Sequence, residues 1–275
     1  MPLPSTLLYG RKEVTDVASL VKHFDTGAFA SPFRSTIPLV ALVKDDWHLF
    51  GQIAVACGTG NDPSVHFEYC VDVPGARGNP SQTDAMLIAA DTALAIEAKW
   101  TEPRYETVAQ RLKNRVERLG REEPQQATEH ERDQTAVING WLSLLERRCG
   151  RALPIAGMSD AVYQMVHRAA SACALSRAPR LAYLHFTPSP ARGAASAAQY
   201  LADLNHLHRK LGNPEELPFF LVELPIEPTA DFRAIQDLPK GSQVTDQQVR
   251  EAISATRLFD FGVPQIKRIG RPTIS

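Results

Sequence analysis

Cysteine is scarce in this chain, and the four residues present (Cys57, Cys70, Cys149 and Cys173) are widely spaced with no Cys-x-x-Cys pair. That spacing argues against a zinc site or a disulfide framework and for reduced thiols in a cytoplasmic protein. Long apolar runs are missing too. The most hydrophobic windows, 37–43 and 219–224, fall far short of the roughly 20 residues a bilayer requires, so no membrane association is expected. The opening Met1-Pro2-Leu3-Pro4 has no basic n-region, and the apolar residues after it stop at Tyr9-Gly10-Arg11-Lys12, unlike a secretory leader. Neither sign of charge dominates. A net charge of −1 excludes an indiscriminate polycation and confines any nucleic-acid surface to a local patch. Familiar catalytic signatures are absent as well: Gly58-Thr59-Gly60 lacks the Gly-Lys-Ser/Thr ending of a phosphate loop, and no Gly-x-Ser-x-Gly elbow occurs. His206 and His208, two apart, would point about 160° apart on a helix, a poor metal pair.

What remains is a chain of 275 residues, 44% hydrophobic and 22% charged, able to bury a sizeable core as a single domain over 1–275. Apolar periodicity suggests N-terminal helices over 14–24 and 33–57, interrupted at Pro38 and at Asp45-Asp46. Further helices are expected over 104–121, 133–148, from Ser159 onward, over 195–211 and over 244–256. Strands are expected around 65–71, 84–99, 181–186 and 219–223. Strands alternating with helices give an α/β fold with a mixed central sheet flanked by helices. On this reading 1–60 forms N-terminal helices, 61–187 the core and 188–275 a C-terminal α/β extension.

The most informative stretch runs from Thr83 to Trp100. It places Asp84, Glu97 and Lys99 on an otherwise apolar hairpin, and buried charges cost several kcal/mol unless paired or bound to a metal. Opposed residues in an antiparallel pair have a constant sum, so a turn centred on Ala90-Asp91 sets Asp84 across from Glu97. Lys99, two residues further, then shares that face, beside Met86, Ile88, Ala95 and Ala93, while Leu87, Leu94 and Ile96 take the other. An odd-length loop without a compensating bulge would instead turn Asp84 away.

Asp84, twelve intervening residues, then Glu97-Ala98-Lys99 resembles the Asp…Glu-x-Lys motif of the PD-(D/E)xK nuclease superfamily, with Thr83 in place of its proline. The helix from Ser159 and the strand over 181–186 match the helix and further strand that close that core. The resemblance covers roughly 32–187 and is strongest over 66–102, particularly to restriction-endonuclease-like proteins from bacteria.

It implies a restriction-endonuclease-like core with N-terminal and C-terminal helical elaborations. It also implies a Mg²⁺-dependent (or Mn²⁺-dependent) hydrolase of DNA phosphodiester bonds, in restriction, defence or repair, with Asp84, Glu97 and Lys99 catalytic. The metal ligands implied are Asp84, Glu97 and the backbone carbonyl of Ala98, with Glu68 as a further acid. Gln164 and Arg168, on a polar helical stripe with His167 and Ser171, become candidates for substrate contact. So do the loop residue Arg77 and Arg104, first of an arginine row with Arg111, Arg115 and Arg118. For that row a solvated face is the preferred reading.

Alternatives remain at each point. Glu97 and Lys99 could be a buried ion pair with Asp84 capping a turn, Glu68 a half-exposed strand residue, and Glu102 a first-turn helix residue. The whole chain could be a catalytically inactive member acting as a nucleic-acid-binding or assembly protein, or a structure-specific nuclease whose substrate is RNA or branched DNA. A homodimer is the expectation where both strands of a duplex are cut.

Overall fold

The hairpin register is the one the residue numbers dictate. In the computed structural model, which describes residues 6–60, 62–76, 80–122 and 127–270 (of 115–116, 119–122 and 127–131 the backbone alone), strand β4 (Ser81–Ile88) runs antiparallel to β5 (Thr92–Lys99). Ala85 faces Ile96, Met86 faces Ala95, Leu87 faces Leu94 and Ile88 faces Ala93. The amide of Ala89 donates to Thr92 O across the two-residue turn Ala90-Asp91.

Around the hairpin the chain builds β1 (Leu7–Tyr9), β2 (Lys12–Val14), α1 (Val17–His23), α2 (Thr36–Asp45), α3 (Trp47–Ala56) and β3 (Ser64–Val71) before it. After it come α4 (Val108–Glu122), α5 (Ala127–Cys149), α6 (Ile155–Met158), α7 (Tyr163–Cys173), β6 (Ala178–Thr187) and α8 (Ala197–Lys210). The C-terminal part adds β7 (Phe219–Pro228), α9 (Ala230–Ile235), α10 (Gln243–Ala255), β8 (Phe259–Phe261) and β9 (Gln265–Arg268).

The protein is α/β, with one mixed sheet ordered β2-β1-β3-β4-β5-β6-β7-β8 and β9 paired to β7. Strands β3, β4 and β5 form an antiparallel meander, α7 crosses over, and β6 lies parallel to β5, followed by parallel β7. Both faces are covered. Leu87, Leu94, Ile96 and Ala98 pack with α1–α3 and α10, whereas Met86, Ala93 and Ala95 pack with α5, α7 and α8. A sheet buried on both sides explains why its strands read as continuous apolar runs.

Several boundaries differ from the sequence expectation. Segment 1–60 is not all helix: β1 pairs antiparallel with β2 and parallel with β3, extending the sheet. Pro38 does not interrupt α2, because it sits in the first turn, where no intrahelical amide is required. Asp46 does separate α2 from α3, its side chain accepting from Leu49 N. The helix expected from Arg104 starts at Val108, after Pro103, where Thr107 and Gln110 cap each other reciprocally at 2.9 and 3.3 Å. Arg104 and Tyr105 therefore precede it. Helix α7 begins at Tyr163 rather than Ser159, and α5 begins at Ala127, earlier than expected. The C-terminal elaboration is not only helical, since β7, β8 and β9 extend the sheet. No helix among the described residues is long and apolar enough to cross a membrane.

Candidate active site

Strand β5 has one polar end. Leu94 to Ala98 is buried throughout, yet Glu97 and Lys99 are each only 2% exposed, so their charges must be answered inside the protein. Lys99 Nζ donates to Glu97 Oε1 at 2.6 Å, and Gln164 Nε2 donates to the same oxygen at 2.8 Å. Arg168 Nε donates to Glu97 Oε2. Gln164 and Arg168 lie one turn apart on α7, whose polar stripe faces the sheet and not water. Arg168 is tied further to β4 through Ser81 Oγ at 2.7 Å, and Ser81 meets His167 Nδ1 at 2.9 Å.

Asp84 closes the other side. Its Oδ2 accepts the Ala98 amide at 2.8 Å, at the point where β4 and β5 stop pairing through their backbones. Asp84 and Met86 share a face, as do Glu97 and Ala95, so the two acids lie on the α7 side of adjacent strands. Asp84, Glu97, Lys99, Gln164 and Arg168 line one cavity of about 650 Å³. Exposed Arg34 and Lys240 line it too, the latter with its ammonium 5.4 Å from the centre of the Phe33 ring.

Glu68 does not line that cavity but is brought beside Asp84 through an unusual backbone. Phe67 faces Ala85 and Tyr69 faces Thr83, which leaves Glu68 opposite Asp84. Its φ of 50° lies in the left-handed region, which costs a non-glycine residue about 1–2 kcal/mol. The twist has a visible effect. Val65 and Phe67 belong to the core on one side of the sheet, Tyr69 and Val71 to the core on the other, so β3 changes face at Glu68.

The charges are unevenly matched. Burial alone would raise the Glu97 carboxyl, but Arg168 and Lys99 hold it below the usual range. Burial would lower the Lys99 ammonium, but Glu97, Tyr105, Asp84 and Glu102 keep it protonated. Asp84 is raised well above an ordinary aspartate, by burial and by Glu97, against Lys99 and Arg168. Burial pushes Glu68 up to about 7, with Arg168 opposing and Glu97 and Asp25 adding to it. Burial, then the charges of Arg168, Arg111 and Lys99, keep His167 neutral.

Two raised carboxyls on neighbouring strands are only partly offset by Lys99 and Arg168, which suits a divalent ion. Gln164 Oε1, buried without a hydrogen-bond partner among the described residues, is a further acceptor lining the cavity. Glu97 is committed at both oxygens, so lending one to an ion requires Gln164, Lys99 or Arg168 to turn away. Among the described residues no three His, Cys, Asp or Glu side chains come together as a ready metal site.

Among the remaining candidates, Glu102 lines the same cavity. Arg104 forms a bidentate pair with Asp203 of α8 at 2.8 Å and is absent from the cavity wall. Arg77 lies outside the described residues, as does the side chain of Arg115. Glu102 is not on a helix; its carboxylate accepts from Ser35, Trp100 and Thr101, clamping the exit of β5 to the start of α2. Sequence reasoning missed Ser81, Arg34 and Lys240, because loops remote in the chain carry the last two to the cavity.

A protein-family model described as Domain of unknown function (DUF6946) matches residues 13–216, a span that includes Glu68, Asp84, Glu97, Lys99, Gln164 and Arg168. No curated protein and no solved structure matches the chain.

Proposed function

The chain belongs to the DUF6946 family, and from its site we propose that it is a divalent-metal-dependent nuclease of PD-(D/E)xK type, hydrolysing phosphodiester bonds in DNA. One observation carries the reading: Asp84 and the Glu97–Lys99 couple project from the same face of adjacent strands into one cavity. The meander β3-β4-β5, the crossover α7 and the parallel strand β6 supply the scaffold expected of such a core.

Asp84 and, after release of a donor, Glu97 would hold Mg²⁺ or Mn²⁺ with the backbone carbonyl of Ala98, consistent with the preference of such ions for oxygen ligands, and Glu68, opposite Asp84, would be the further acid. When bound, the ion supplies a more acidic water and a countercharge for a phosphoryl oxygen. Lys99 is held protonated by its surroundings, so its part is electrostatic: a fixed cation opposite charge developing on the phosphate, not a proton acceptor. Arg168 orients Glu97 and fixes α7 against β4 through Ser81. Arg34 and Lys240, exposed at the cavity, contact flanking phosphates, which position the strand without reading its bases.

The test is cleavage of supercoiled and linear DNA in Mg²⁺ or Mn²⁺ by the wild type and by Asp84→Asn, Glu97→Gln and Lys99→Met, each checked for folding by circular dichroism. Divalent-dependent cutting should fall at least about 100-fold in each variant. Cutting by Asp84→Asn at the wild-type rate would overturn the reading. A second reading rests on the saturation of Glu97 by Lys99, Gln164 and Arg168. A catalytically silent member with this closed network would bind nucleic acid and cut neither DNA nor RNA with either metal.

A further inference from the structure

At the opposite end of the parallel strands, three arginines from distant parts of the chain line a second cavity of about 560 Å³. Arg148 comes from the last turn of α5, Arg180 from β6 and Arg268 from β9. Arg180 lies beside Leu94, five residues or about 16 Å along β5 from Lys99. The two cavities share no lining residue.

All three guanidiniums are partly buried, and among the described residues none has a carboxylate within ion-pairing distance. Arg148 donates to Arg177 O and Arg180 to Ala178 O, which fixes both side chains. Arg268 makes no side-chain hydrogen bond among the described residues. Their proximity is felt: burial lowers the Arg180 guanidinium, Asp91 opposes that, and the charge of Arg268 lowers it further. Gly58 makes room for the cluster. A Cβ there would stand 2.8 Å from Arg180 Nε, and its φ of 81° is one that L residues rarely adopt.

Like charges gathered in a concavity are unfavourable until an anion bridges them, and guanidinium forks match phosphate oxygens. We propose that this cavity is a binding site for a small phosphomonoester carried on a flat, apolar body, the chemical class of the mononucleotides. Three cations lining one small cavity suit a single dianionic group, whereas a nucleic-acid backbone is followed by cations spaced along it. Exposed Glu215 and Glu216 line the same cavity, leaving it one net positive charge among its charged lining residues, too little to hold an extended polyanion. Phe220, Ile266 and Pro218 supply the apolar wall, and the volume lies within the range of small-molecule pockets. The inference does not depend on nuclease activity.

The experiment titrates the full chain with adenosine 5′-monophosphate, inorganic phosphate, adenosine and a 12-nucleotide DNA strand, by calorimetry and thermal melting. The wild type should bind the monophosphate saturably and bind adenosine at least tenfold more weakly. Arg268→Gln, which removes no internal bond among the described residues, should weaken monophosphate binding at least tenfold at unchanged melting temperature without ligand, and Arg180→Gln should weaken binding to the same degree. No saturable binding of the monophosphate by wild type overturns the proposal. So does undiminished affinity in Arg268→Gln, or binding of the DNA strand alone that the same substitution weakens. A fall in melting temperature with no ligand response would mean that the arginines serve the helix ends only, and also overturns it.

Discussion

Glu68→Gln isolates the electrostatic imbalance at the site. The Glu68 carboxyl stands at about 7 in the fold against an ordinary 4.5, so the folded chain holds this proton more tightly than the unfolded chain does. The sign follows. Stability from this group is complete below about 4.5 and is lost as pH rises towards 7, since there the unfolded state binds fewer protons than the folded one. The loss is on the order of 3 kcal/mol at about 1.4 kcal/mol per pH unit. Glutamine cannot ionise, so the variant should match the wild type near pH 4.5 and exceed it by on the order of 3 kcal/mol at pH 8, roughly 6–12 °C in melting temperature. Urea denaturation with EDTA at the two pH values measures both. Adding Mg²⁺ at pH 8 should then stabilise the wild type more than the variant, because an ion that binds only the folded state shifts the equilibrium towards it. An equal effect of the substitution at both pH values would refute the argument, and with it the role of Glu68 as an unanswered acid.

Three further outcomes follow from the geometry. Glu97→Gln strips Lys99 and Arg168 of their shared counterion and should cost about 3–5 kcal/mol, a good part of which Arg168→Met should restore in the double variant; strict additivity of the two would show that the pair is not coupled. Gly140→Ala on α5 drives a Cβ to 2.5 Å from Pro74 O and 2.6 Å from Val73 Cγ1, and chemical denaturation should register a loss of about 1–3 kcal/mol. Arg104→Ala breaks a pair whose arginine is 43% exposed, so its cost should stay below about 1 kcal/mol in the same assay.

The site was legible in the sequence where alternation is strict. A two-residue turn at Ala90-Asp91 leaves no freedom in pairing, so Asp84, Glu97 and Lys99 could be assigned to one face by number alone. Glu68 was harder, because its facing depends on a left-handed φ that no alternation pattern encodes. The β1–β2 hairpin was invisible for another reason: strands of three residues carry too little periodicity to register. The late start of α4 did have a signal, the Thr107-x-x-Gln110 cap, which the arginine row around it obscured. Glu102 looked helical by position, yet its role was set by Ser35, 67 residues earlier, which no local reading reaches.

The bond from Ala98 to Asp84 gives one carboxylate two duties, since the side chain that would carry the chemistry also stitches two strands together where the backbone ladder has ended. Asparagine there retains the stitch, whereas alanine unpicks it. On the nuclease reading, descendants that abandon catalysis at this position should therefore drift to asparagine before any apolar residue, and a family tree would record that loss as the exchange of a single oxygen for nitrogen.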